Sequence, residues 1–408
     1  EMILRAARTP DALNGDGSDG WAVWFWDEFL PDWIERAQDT LHGGFFDTLD
    51  ADGKPVIDAP KTVLAQARLL FTFSHLALLS GGDRFEKAAA EALSFLPRFR
   101  KPSGLYSRAI SRDGWATGEA TDTVARSYDQ SFVILALSTW WKLSPSEKTE
   151  AELESCWSAI MDYLVDPVTG VLLEDDGVTD PEAVGAPMRA QNPHMHLYEA
   201  ALQAYEMTEK PHWLERAAKI RALGLKHFFD RDSGTITEFI TPDLSVLPCD
   251  AGARREVGHQ CEWAWLLRRE MALGGTADLS DTIAALEKFA LQHGVAPSGA
   301  MASAVFDAVS SGGRVMEETC LLWPQTEAIK MHAVRHTAGE TGAGEAARTL
   351  MTLMFDRWFD GRPIYVNQLD AAGEAIWPEA LSRLLYHIVL ALTEGARAGL
   401  WPEPTRHS

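Results

Sequence analysis

Two histidines and two glutamates are the residues of this chain best placed to do chemistry. His259 and His387 each head a stretch whose later residues are apolar at helical spacing, so each imidazole falls in a first helical turn with packing surface behind it. Two imidazoles flanking one small substrate can serve as an acid/base pair near neutral pH, where histidine ordinarily titrates. Glu262 lies three residues after His259, on the same helical face one turn deeper. Glu327, in Leu322-Trp-Pro-Gln-Thr-Glu327, takes the corresponding depth in another segment. Inward carboxylates are costly unless they bind something. These two could orient a histidine, accept sugar hydroxyls, or be the paired acids of a hydrolase. Arg68 sits among Leu64, Leu69, Leu70 and Phe71 and needs a partner, either a structural carboxylate or a ligand oxygen. Asn192-Pro-His-Met-His196 has a His-x-His spacing, but helical residues two apart point to different faces. A shared metal ion is therefore not expected there. His196 is assigned to the substrate and His194 to a structural or peripheral role, while Tyr128 faces the pocket and Asp129 acts partly in capping.

The elements that must position these groups recur along the chain. Arg68, Tyr128, Asn192, His259, Trp323 and His387 each open the more apolar of two helices, with separations of 60, 64, 67, 64 and 64 residues. Helix, short strand and helix repeat between them, as in Trp21 to Arg36, then Gly43 to Gly53, then Lys61 to Leu79. A period this steady signals a repeat architecture. An open solenoid would need atypical capping repeats, and none is evident. The expectation is one all-α domain over residues 1–408, an (α/α)6 barrel: six helical hairpins closed into a toroid. The polar first turns of the inner helices then converge at one mouth, among short β-hairpins.

Composition narrows the partners. Hydrophobic content of 46 % with 24 % charged residues describes a globular protein with a well-supplied core. A formal charge of −22 opposes nucleic acid and anionic membrane as partners. No apolar stretch of 18 residues is read as a membrane span. Cys156, Cys249, Cys261 and Cys320 show no CxxC and no metal spacing, which suits a reducing, cytoplasmic setting. Most of the fifteen tryptophans are assigned to core filling. Phosphate-cradling, dinucleotide and nucleophile-elbow motifs are all missing.

With those residues in view, the chain resembles the N-acylglucosamine 2-epimerase superfamily over nearly its whole length. The resemblance is carried by Gly43-Gly-Phe-Phe-Asp, Gln66-Ala-Arg68, Tyr128-Asp-Gln-Ser-Phe, Asn192-Pro-His-Met-His-Leu-Tyr-Glu199, Gly258-His-Gln-Cys-Glu-Trp263, Trp323-Pro-Gln-Thr-Glu327 and Tyr386-His387. It implies an (α/α)6 barrel with His259 and His387 as catalytic acid/base residues. Arg68, Tyr128, Asn192, His196, Glu262, Trp323 and Glu327 match its sugar-contacting positions. Arg383 departs from the pattern, standing where some isomerase relatives have glutamine, and it belongs to the outer part of the sugar pocket. The implied reaction is aldose–ketose isomerisation of the mannose/fructose type through a cis-enediolate, with no metal and no cofactor. Its partner is a monosaccharide, handled by a monomer or homodimer. A sugar 2-epimerase is the alternative on the same scaffold, and an inverting glycosidase using Glu262 and Glu327 is the alternative from another class.

Overall fold

Five of the six inner helices begin where a strand of two or three residues stops, or one short turn beyond it. The computed structural model describes residues 17–360 and 362–406. Lys61–Thr62 runs into Val63–Ser80, Arg189–Ala190 into Gln191–Thr208, Arg254–Glu256 into Val257–Ala272, and Cys320–Leu321 into Leu322–Thr337. Ala380–Leu381 leads through the turn Ser382–Leu384 into Leu385–Arg397. The second inner helix, Ser127–Leu143, follows a single bridge at Arg126. These strands pair antiparallel with strands from the loop after the next outer helix: Lys61–Thr62 with Ala109–Ile110, Arg189–Ala190 with Phe239–Ile240, and Arg254–Glu256 with Ala308–Ser310. Thr48–Leu49 pairs with Ala380–Leu381, which ties the first loop to the last. A belt of backbone hydrogen bonds thus fixes the heights of the inner-helix starts relative to one another.

Buried side chains fix those heights a second time. Gln66, Gln130, Gln260 and Gln325 each sit near the start of an inner helix. Each amide accepts from the N–H and donates to the C=O of one residue on the preceding strand: Phe45, Tyr106, Ile236 and Val305. The clamped residues themselves bridge back to the end of the outer helix of their unit, as in Gln38 with Phe45 and Arg100 with Tyr106. In the third unit His194 replaces glutamine, accepting from Leu172 N–H through Nε2 and donating through Nδ1 to the carbonyl of Ala190. His194 is accordingly structural, one of the two roles expected for it. Burial pushes it down to about 4, so the ring is neutral and can play both parts.

The outer helices are amphipathic and the inner ones are apolar almost all round, as their two environments require. In the outer helix Glu147–Tyr163, Leu153, Cys156, Trp157 and Ile160 recur at three- and four-residue steps on the buried side. The inner helix Val63–Ser80 buries fifteen of its eighteen residues. It corrects the sequence reading, since it is long and apolar enough to cross a membrane by composition. In the barrel its apolar sides meet neighbouring helices instead, and its buried Arg68 serves the site. The ring closes where this helix packs on Leu385–Arg397, with Phe71 against Tyr386 at 5.7 Å and His75 hydrogen-bonded to Thr393 at 2.9 Å.

The first outer helix, expected as one continuous stretch, contains a π-helical turn at Phe25–Phe29 between Gly17–Trp24 and Leu30–Ala37. The last outer helix ends in a matching turn, Phe355–Phe359. The two turns meet in an aromatic seam in which Trp21 stacks on Phe355 at 5.0 Å and Phe29 meets Phe359 at 5.2 Å. Ten of the fifteen tryptophans are buried in the core, so core filling was the right assignment for most. Trp323 and Trp377 instead face a cavity.

Candidate active site

The belt at the inner-helix starts surrounds a cavity of about 410 Å3. Arg68, Tyr128, Asn192, His196, His259, Glu262, Trp323, Arg383 and His387 all line it. Nine of the ten residues singled out by sequence are thereby brought together. Glu327 is the exception. It is fully buried behind His387, where its Oε1 accepts a 2.8 Å hydrogen bond from His387 Nδ1. It orients a histidine rather than contacting the sugar, and the reading of Glu262 and Glu327 as a hydrolase pair loses one of its carboxylates.

His259 has the same construction with a different partner. Its Nδ1 donates to both oxygens of Glu238, at 2.9 and 3.0 Å, and Glu256 Oε2 lies 3.7 Å away. Burial alone would favour a neutral ring, but the charges of Glu238 and Glu256 outweigh it and lift His259 to about 10. Glu256 is itself pushed up to about 7, by burial and by the charge of Glu238. His387 moves the other way, well below its ordinary value, through burial and the positive charges of Arg68 and Lys330. At neutral pH one ring is therefore an imidazolium and the other a neutral imidazole. Each has Nδ1 tied to a carboxylate, which leaves Nε2 for the cavity. Trp323 stands between them, 4.7 Å from the His259 ring and 5.9 Å from the His387 ring. The close approach of that indole needs Gly258: a Cβ there would lie 2.4 Å from the Trp323 ring.

Under the cavity lies a layer of buried charge. Lys330 Nζ is 2.8 Å from Glu327 Oε2 and 3.8 Å from the centre of the Trp265 ring. Glu199 accepts from His196 Nδ1 at 2.8 Å and from the Tyr386 hydroxyl. Burial opposes the Glu199 charge, but His196 and Lys330 outweigh that and hold it at about 2. Glu262 has no hydrogen-bond partner on either oxygen among the described residues, and burial together with the Glu327 charge raises it well above the carboxylate range. Protonated, it can donate a hydrogen bond to a sugar oxygen. Arg68 donates to the Tyr128 hydroxyl at 2.6 Å and to the carbonyl of Arg383 at 3.3 Å, between the faces of Phe132 and Tyr386. It forms no ion pair among the described residues, so the ligand-oxygen alternative stands. Its Nε and the Oδ1 of Asn192 are buried without partners, as polar atoms awaiting a ligand would be. Asp129 is bound bidentately by Arg126, at 2.7 and 2.8 Å, rather than by a helix N–H.

Among the described residues two side-chain groups could chelate a cation: His196 with Glu199 and Glu262, and His259 with Glu238 and Glu256. In both, the histidine nitrogen nearest the carboxylates is already the donor of a hydrogen bond, so an ion would have to displace a proton. A larger cavity, about 840 Å3, opens at the opposite end of the barrel. Among the described residues most of its buried charged groups are paired with one another, Arg268 with Glu287 and Glu340 and Arg269 with Glu206.

Sequence reasoning missed Glu238, Glu199 and Lys330. Glu238 lies in the bend between the strands Thr235–Ile236 and Phe239–Ile240, in the loop preceding its histidine, and no local spacing marks it. Lys330 was within reach, since it follows Glu327 by three residues on one helix.

A sequence profile described as N-acylglucosamine 2-epimerase matches residues 44–391. A relative from Rhizobium meliloti named mannose-6-phosphate isomerase is 29 % identical over 392 residues, 91 % of this chain and 95 % of its own. Human N-acylglucosamine 2-epimerase is 24 % identical over 65 % of this chain and 61 % of its own. Among solved structures, a D-mannose isomerase superposes with a TM-score of 0.80 at 19 % identity, covering 93 % of this chain and 98 % of that one. A cellobiose 2-epimerase from Bacillus thermoamylovorans superposes with 0.78 at 17 % identity, over 91 % of this chain and 98 % of that one. These two likenesses establish the (α/α)6 barrel.

Proposed function

We propose that this chain, which belongs to the N-acylglucosamine 2-epimerase family, interconverts an aldose and its ketose of the mannose/fructose type. The observation that carries the reading is the pair of histidines, one charged and one neutral, facing one cavity beside Trp323. The hydrogen on C2 of an open-chain aldose is acidic because the adjacent carbonyl can take up the electron pair. Neutral His387 accepts that proton at Nε2, with Nδ1–H held on Glu327. The electron pair moves to O1, where the His259 imidazolium and Arg68 meet the growing negative charge. His259 protonates O1 and takes the proton of O2, while His387 returns its proton to C1. The hydrogen of C2 ends on C1 and that of O2 on O1, so the ketose forms without redox change. Before this, the same histidines can open the sugar ring, one as acid and the other as base.

Return of the proton to the opposite face of C2 would give the epimer on the same scaffold. The isomerase reading is favoured by similarity along almost the whole chain to a relative named as an isomerase. Incubation with mannose, glucose, fructose, N-acetylglucosamine and cellobiose in deuterated water, read by NMR, tests it. Fructose formed from mannose supports the reading, and a C2-deuterated epimer without ketose replaces it. We place the reaction in the cytoplasm, a setting that four free cysteines suit.

A further inference from the structure

His259 and His387 both have Nδ1 on a carboxylate, and yet only one of the two rings is charged. The difference lies in what each carboxylate meets on its other side. Glu238 places both oxygens on His259 Nδ1, and among the described residues that ring is its one ion-pair partner. Glu256 adds a second carboxylate 3.7 Å from the same nitrogen. Glu327 gives His387 one oxygen only, and its other, Oε2, lies 2.8 Å from Lys330 Nζ. Both members of that ion pair are fully buried.

Stability alone gives little reason to bury a lysine here, since a buried ion pair is seldom better than apolar residues of similar volume. The ammonium is nevertheless held in place. It lies one turn beyond Glu327 on the helix Leu322–Thr337, 3.8 Å from the centre of the Trp265 ring, whose indole N–H donates to Glu394 at 3.3 Å. Neither Lys330 Nζ nor Glu327 Oε2 makes a well-aligned hydrogen bond among the described residues, so the two act on each other through charge. Burial opposes the Lys330 charge, but Glu327, Glu262 and Glu199 outweigh it and keep the ammonium protonated. The other ionisable groups around His387 are engaged elsewhere or uncharged. Arg68, on Val63–Ser80, is bonded to the Tyr128 hydroxyl. On Gln191–Thr208, His196 donates to Glu199, which also accepts from Tyr386. Glu262, on Val257–Ala272, is held protonated by burial and the Glu327 charge.

We infer that Lys330 is a positioning residue for the proton transfer: by neutralising Glu327 from behind, it lets that carboxylate orient His387 without drawing a second proton onto the ring, and so makes His387 rather than His259 the base. The inference rests on the isomerase reading, in which His387 takes the C2 proton. Without the ammonium, Glu327 would present an uncompensated buried charge to the ring. Imidazole binds a proton more tightly than a carboxylate does, so the ring would take one up. His387 would then copy His259, and the site would hold two acids and no base.

The experiment follows two quantities against pH in the full chain: kcat/KM for ketose formation from mannose, and the protonation of His387 by NMR of protein labelled with 15N-histidine. The His387 signal is assigned by its loss in His387→Ala. Lys330→Met should move the acid limb up by about 1–3 units, with the loss recovered as pH rises and the basic limb left at about 10. Its His387 ring should be an imidazolium at a pH where the wild-type ring is neutral with its proton on Nδ1. Lys330→Arg, which restores the charge, should bring the limb back. Adding Glu327→Gln to Lys330→Met removes the stranded carboxylate, so the limb should return toward the wild type, while Glu327→Gln alone should lie lowest. An acid limb and ring titration unmoved in Lys330→Met overturn the inference, because a merely structural lysine would leave both in place. Should Lys330→Met lose its helical circular dichroism, the double variant is compared with Glu327→Gln, and equal ring titrations overturn it. If mannose gives no ketose, the isomerase reading fails, while the NMR titration still decides the part played by Lys330.

Discussion

Replacing Glu238 by glutamine removes the charge that holds His259 as an imidazolium while keeping an acceptor of nearly the same shape. The carboxylate lies 2.9 Å from Nδ1 and lifts His259 to about 10 against the effect of burial. At an effective dielectric constant of about 20, a unit charge that close contributes on the order of 5 kcal/mol, as an upper bound. Opposite-charge partners ordinarily shift a titration by about 1–3 units, each worth about 1.4 kcal/mol. Glu256, 3.7 Å from the ring, remains. The basic limb of the kcat/KM profile should therefore fall from about 10 in the wild type to roughly 7–9 in Glu238→Gln. The acid limb should stay, because it belongs to His387, which must be neutral and loses activity only as pH falls through its depressed value. Stability gives an independent sign. His259 is raised on folding, so its share is complete below its ordinary 6.5 and is lost as pH rises through about 10. Glu238 is lowered, so its share is present above its ordinary 4.5 and lost as pH falls through the folded value. The difference in Tm between wild type and Glu238→Gln should then be largest between about 4.5 and 6.5 and close toward alkaline pH. A variant whose basic limb stays at the wild-type pH would refute the assignment of His259 as the charged partner.

Four further outcomes follow from the site. His259→Ala and His387→Ala should each cost on the order of 10²-fold or more in kcat, with helical circular dichroism retained, because each removes a proton-transfer group. If His387 takes the C2 proton, only the His259 variant should be partly rescued on an open-chain substrate analogue. Gly258→Ala places a Cβ 2.4 Å from the Trp323 ring and must displace the indole, so kcat/KM should fall while intrinsic fluorescence reports a moved tryptophan. Lys330→Met strands Glu327 without its cation and should destabilise the fold by about 3–5 kcal/mol in denaturant titration, much of it recovered in the double variant with Glu327→Gln. Prolonged EDTA treatment followed by desalting should leave turnover intact, and loss of activity restored by a divalent ion would assign a metal to one of the two histidine–carboxylate groups.

The sequence by itself determined the repeat and hence the ring. Six apolar helices at a nearly constant spacing can bury themselves only against one another, and their polar first turns then fall at one level. Because the landmarks occupy equivalent places in the repeat, Arg68, Tyr128, Asn192, His196, His259, Glu262, Trp323 and His387 could be assigned to one cavity without any distance in hand. The repeat does not say what each side chain meets across the ring. Glu327 looked like a wall residue, but it turns behind His387, because its helix carries Lys330 one turn further and the pair is buried together. Glu238 was invisible in sequence because its role comes from a bend between two short strands, folded over the start of another element. The π-turn at Phe25–Phe29 depends on a facing turn more than three hundred residues away. The opposite charge states of His259 and His387 also belong to the tertiary structure. The two residues are the same in chemistry and in repeat position, but two carboxylates surround one ring while burial and two cations govern the other. Local periodicity sets which residues reach the centre of the ring, and only the packing of distant segments sets the electrostatic field they meet there.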